Sequence, residues 1–109
     1  MTAERDIHAE FGEAVNMTAK ELENWLKTDE SKNAGQHSDG KESVGHESGR
    51  RIVDLLRTTR AERTAGDERH MRKVIGYVHR HLAQRPSGDV RETRWRHSLM
   101  NWGHDPCKE

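Results

Sequence analysis

The longest uninterrupted periodic segment of the chain covers residues 64–85, TAGDERHMRKVIGYVHRHLAQR. Met71, Val74, Ile75, Val78 and Leu82 recur there at helical spacing and make one apolar stripe. Arg69, Arg72, Lys73, Gly76 and Arg80 share the opposite side. One face therefore needs a core and the other suits anions. Thr64 and Asp67 offer caps for the start of this helix, Glu68 favours its first turn, and Pro86 stops it after Arg85.

Shorter amphipathic segments flank it. Ile7, Phe11, Ala14 and Val15 predict a helix over about residues 3–15, broken at Asn16 and Met17. Thr18 and Glu21 form a capping box for a second helix, which carries Leu22, Trp25 and Leu26 and ends near Thr28. Ile52, Val53, Leu55 and Leu56 mark a third, starting between Ser43 and Ser48 and ending near Thr59. Trp95, Leu99 and Trp102 mark a last helix from about Val90, with Gly103 as its C-terminal cap and Pro106 beyond it. Residues 29–46 lack this periodicity and read as a polar loop, mobile over residues 33–43. No alternating run predicts a strand. The expectation is an all-α, compact single domain over residues 1–109, of about five helices around a long central amphipathic one. The first two helices and the last are expected against its apolar stripe.

Composition narrows this picture. Leu, Ile, Val and Phe number 16 among 109 residues, so the core is thin, and three Trp and four Met must supplement it. A homodimer sharing apolar surface is compatible with such a core. Net charge is zero, yet residues 1–49 carry −6 and residues 50–109 carry +6. Either the two halves attract one another in the fold, or the basic half meets an acidic partner. The lone Cys107 permits no internal disulfide, no stretch is long enough to span a membrane, and residues 1–15 lack a leader-like apolar run. A cytoplasmic location is expected.

Candidate chemistry is sparse. The basic stripe of Arg69, Arg72, Lys73 and Arg80 has the footprint of a helix that neutralises nucleic-acid phosphates, and Gly76 would allow close approach. In residues 43–52, SVGHESGRRI, two glycines and two serines accompany Arg50 and Arg51. If the helix began after them, its free N–H groups and both arginines would form a phosphate site. If it begins at Ser43, both arginines fall in mid-helix without such a role, and this second reading is favoured. The pattern lacks the Gly-Lys-Ser/Thr ending of a Walker loop. His79, His81, His97, His104 and Cys107 have no zinc-ligand spacing, so no metal or cofactor is expected, and no catalytic signature is present. Trp95 and Trp102 read as core.

The blocks MTAKELENWL, SVGHESGRRIVDLL, MRKVIGYVHRHLAQRP and TRWRHSLMNWGHDP together resemble a family of small uncharacterised bacterial proteins, whose members are often labelled DNA-binding. The resemblance spans about residues 11–106 and carries no assigned functional residues. It implies DNA binding as an expectation beside the reading of the residues. The function expected is non-catalytic nucleic-acid binding, with DNA as first partner and RNA as second. Arg69, Arg72, Lys73 and Arg80 are its main contacts, with Arg50, Arg51 and Arg94 as outer ones. The alternative is a protein-interaction or regulatory module with an acidic partner.

Overall fold

The computed structural model describes residues 6–34 and 42–108. Among these the chain forms six α-helices and no strand: α1 (Ile7–Ala14), α2 (Ala19–Leu26), α3 (Asp29–Asn33), α4 (Val44–Leu56), α5 (Ala65–Leu82) and α6 (Arg94–Asn101), with a 3₁₀ turn at Arg60–Glu62 before α5. Each α-helix opens on an Asp, Ser or Thr whose side chain accepts a backbone N–H of the first turn: Asp6, Thr18, Thr28, Ser43, Thr64 and Thr93. Thr18 with Glu21, and Thr64 with Asp67, close reciprocal capping boxes.

The expected apolar stripe of α5 is buried at Met71, Val74, Ile75 and Val78, with Leu82 partly buried. α1 packs along α5, but α2 packs along α4, so only one of the first two helices covers the central stripe. α6 touches α2, α3, α4 and α5 and ties the two pairs together. Phe11, Leu22, Ile52, Met71 and Leu99 are among the side chains sealed in the resulting core. Each contributes about 1.5–3 kcal/mol by leaving water.

Several boundaries differ from the sequence expectation. The polar stretch over 29–46 opens with α3, because Thr28 caps a new turn by accepting from Ser31 N–H while its own hydroxyl donates to Trp25 C=O. α3 buries Ser31 rather than an apolar stripe, so no hydrophobic period announces it. The end of the stretch, from Val44, belongs to α4. The mobility expected of residues 33–43 falls mostly on residues 35–41, which lie outside the described residues. α5 ends at Leu82 rather than Arg85, and α6 starts at Arg94 because Thr93, not Val90, supplies the cap. Val90 is nevertheless buried, as the anchor of the preceding turn.

Two features lock α6 in place. At its C-terminus Gly103 takes φ +84°, and the N–H groups of Gly103 and His104 return to the carbonyls of Met100 and Leu99. A side chain at Gly103 would also meet Val15, with Cγ1 only 2.8 Å from the added carbon. One turn back, the buried Asn101 accepts from Trp25 Nε1 at 2.8 Å and from Ser31 Oγ, and donates to Ser31 C=O at 3.0 Å. This polar junction fastens α6 to α2 and α3 through residues distant in sequence.

Trp95 and Trp102 are core residues, as expected, at 9% and 4% exposure. They take part in a column of near-parallel groups along α5. Trp102 lies between His70 and Tyr77, with ring centres 6.3 and 4.2 Å away. Tyr77 stacks on His81, His81 on Trp95, and the Arg85 guanidinium covers Trp95.

Candidate nucleic-acid interface

Burial of the stripe on one side of α5 turns the opposite side to solvent. Arg69, Arg72, Lys73 and Arg80 are all exposed there. None makes an ion pair among the described residues, although Glu68 stands one turn before Arg72. Like charges three and four residues apart, as in Arg69–Arg72 and Arg69–Lys73, disfavour the helix by a few tenths of a kcal/mol each. Their positive field is therefore left open to solvent anions.

The other candidate arginines sit elsewhere and are differently occupied. α4 begins at its Ser43 cap, so Arg50 and Arg51 lie in mid-helix and no free N-terminus faces them. Arg50 holds Glu42 through two bonds, Nε to Oε2 at 2.9 Å and Nη2 to Oε1 at 2.5 Å. These bonds, with a contribution from His46, hold the Glu42 carboxyl down at about 2. His46 also spans from Glu42 to the Leu26 carbonyl, its Nε2 donating at 2.7 Å. Arg51 reaches Asp67 in the α5 capping box, at 3.5 Å. The phosphate-site reading of residues 43–52 thus fails on two counts: the N–H groups are inside the helix, and Arg50 and Arg51 are neutralised.

The glycines and serines of that segment have a packing role. A Cβ on Gly49 would lie 2.6 Å from both the Asn101 carbonyl oxygen and Leu26 Cδ2, and one on Gly45 would lie 3.1 Å from Trp102 Nε1. Ser48 is buried and shares a 2.9 Å hydrogen bond with His70 Nε2, tying α4 to α5. Arg94 is exposed at the start of α6, in a cleft also lined by Asp29, Glu30 and Glu92. That setting is acidic, and it separates Arg94 from the α5 cations as a phosphate contact.

The charge asymmetry of the chain is resolved largely inside the molecule. Glu42 with Arg50, Glu23 with Arg57, Asp6 with Arg60 and Glu21 with Lys108 each join the acidic half to the basic half. Within the basic half, Asp89 pairs with Arg91, and Asp105 with Arg96. Among the described residues, Arg69, Arg72, Lys73 and Arg80 on the outer side of α5 have no acidic partner, and Lys27, Lys32, Arg85 and Arg94 are likewise exposed without one elsewhere. These tertiary pairings carry no local sequence signal, which is why the arginines looked alike before their partners were placed.

Among the described residues no cluster of three or more His, Cys, Asp or Glu is arranged to hold a metal ion, and no helix is long and apolar enough to cross a membrane. The described residues define a small all-helical protein with an exposed cationic face on α5. Residues 10–100 match the family described as a protein of unknown function, DUF3140, and the chain belongs to that family. No curated protein and no solved structure matches the chain.

Proposed function

We propose that this chain is a non-catalytic nucleic-acid-binding protein that works in the cytoplasm and uses the outer face of α5 to contact phosphates. DNA is the first candidate and RNA the second. The observation that carries the reading is the contrast in pairing. Arg50, Arg51, Arg57, Arg60, Arg91, Arg96 and Lys108 each have an acidic partner, whereas Arg69, Arg72, Lys73 and Arg80 have none among the described residues. Residues 69–80 of a helix span roughly 16 Å, enough to meet several phosphates along one backbone. Such contacts set affinity without reading sequence. Dissociation constants of about 10⁻⁴–10⁻⁶ M at physiological salt are expected, with little preference among probes.

The test is a gel-shift with mixed-sequence DNA and RNA at two salt concentrations, on the wild type and on Arg72→Glu with Lys73→Glu. Both side chains are exposed, so the fold should persist while binding is lost. Absence of wild-type binding at low salt would overturn the reading.

A second reading, a protein-interaction module with an acidic partner, has one observation in its favour. A groove of about 480 Å³ between α2 and α4 has Leu26 and Val53 as its apolar lining, and basic side chains such as Lys27, Lys32 and Arg57 outnumber the acids Glu23 and Asp54 around them. A protein segment bound there would bury apolar surface and show only a modest salt effect. In the acidic half, Asp6, Glu21, Glu23 and Glu42 pair with Arg60, Lys108, Arg57 and Arg50 rather than with the α5 cations.

A further inference from the structure

Gly76 stands in the middle of α5, where glycine weakens a helix, and it is not there to admit a neighbouring element. A Cβ built on it would meet only one side chain, the Arg80 guanidinium, with Nη1 at 3.0 Å and Cζ at 3.8 Å. Gly49 and Gly103 differ, because other elements press on them. The missing side chain at 76 therefore lets Arg80 lie down over the helix backbone. Helical side chains lean toward the N-terminus, so Arg80 lies toward the preceding turn. The positions one turn away from Gly76 are Arg72 and Lys73 on one side and His79 and Arg80 on the other. All four are basic residue types, and those of α5 positions 72, 73, 79 and 80 are exposed.

The geometry points to a single-phosphate seat at Gly76: the Arg80 guanidinium, drawn in over the glycine with Nη1 nearest to it, offers its planar fork to one backbone phosphate. This rests on the phosphate-binding reading above and names the point on the face where one backbone phosphate is held. A guanidinium fork is suited to two phosphate oxygens at once. Gly76 acts as a positioning residue: it sets the height at which Arg80 meets the ligand.

The experiment compares the full-length wild type with Gly76→Ala and Gly76→Leu. Each variant is measured for thermal stability and for binding to a mixed-sequence DNA duplex over a salt series. A side chain at 76 should raise the melting temperature, since helix propensity improves and only the far end of a flexible arginine must move. It should also weaken binding about tenfold, as expected for one charge-assisted contact, and reduce the salt slope by about 1. Leu should weaken it at least as much as Ala. Opposite signs for stability and binding are what a merely structural glycine would not give. If the wild type binds and both variants bind equally well, the seat is overturned while the broader reading stands. If either variant is destabilised, Gly76 has a packing role and the seat is overturned as well. If the wild type binds no nucleic acid at low salt, the seat and the broader reading fall together.

Discussion

α4 and α5 are built from similar parts and use them in opposite ways. Both carry glycine within the helix and arginines beside it. On α4, Gly45 and Gly49 are pressed against α6 and Leu26, and Arg50 and Arg51 are held by Glu42 and Asp67. On α5, Gly76 faces only the helix's own Arg80, and four cations have no acid among the described residues. A Gly-Arg combination is thus a packing device when its neighbours are backbone and carboxylates. It is an open cationic surface when it has neither. Local sequence does not separate the two cases, because the deciding atoms come from α2, α6 and Glu42.

The comparison can be broken first at the α4–α6 contact. Trp102 fills the space over Gly45 and is clasped between His70 and Tyr77. Trp102→Ala should cost about 3–5 kcal/mol in a denaturant titration. A curve that scarcely moves would place the ring outside the energetic core and undo the account of α4 as a packing helix. Next in size is Gly49→Ala, which sets a carbon 2.6 Å from Leu26 and from the Asn101 carbonyl. Overpacking there should cost about 1–3 kcal/mol, partly offset by alanine's helix preference. The same exchange at Gly76 should instead stabilise the fold by about 0.5–1 kcal/mol. Equal signs at the two sites would erase the distinction between the helices.

Acid sharpens the comparison on the column side of α5. Burial holds the His70 and His81 imidazoles below their ordinary value, and Arg51 and Lys73 add to the effect at His70. His81 Nε2 is buried without a hydrogen-bond partner. Both rings are therefore favoured neutral in the folded chain. Their contribution is fully present above the unfolded value of about 6.5 and is lost as pH falls through the lowered folded values. Melting temperature should decline on acidification from about pH 7 toward 5, before the carboxylates titrate. His70→Gln with His81→Gln should flatten that decline. An unchanged decline in the double variant would assign it to other groups.

The smallest expected effect belongs to the surface pair on α4. Arg50→Gln removes the bidentate contact with Glu42, but the arginine side chain is 61% exposed. The expected change is at most about 1 kcal/mol, and nucleic-acid affinity should hardly shift.

Much of the architecture could be read from the chain because it depends on near neighbours. The α5 stripe, the Thr18–Glu21 box, the Ser43 start and the Gly103 stop are set by residues within about two turns of one another. α3 escaped because Thr28 and Ser31 build it without an apolar period. The Asn101 junction escaped because its partner Ser31 lies 70 residues earlier. For the binding face, the outward direction of Arg69, Arg72, Lys73 and Arg80 followed from the stripe opposite. The occupation of Arg50, Arg51 and the acidic setting of Arg94 did not, since each depends on which carboxylates the tertiary fold brings near.

The central claim is that the α5 face holds phosphates and the α4 arginines do not. The most direct measurement is the affinity for a mixed-sequence duplex between about 50 and 200 mM salt for three proteins: wild type, Arg72→Glu with Lys73→Glu, and Arg50→Gln with Arg51→Gln. The account predicts a log–log slope of about −3 to −4 for the wild type, from four phosphate contacts at about −0.9 each. It predicts the same slope for the α4 variant and no measurable binding for the α5 variant. Binding that survives the α5 reversal but is lost with the α4 pair would contradict it.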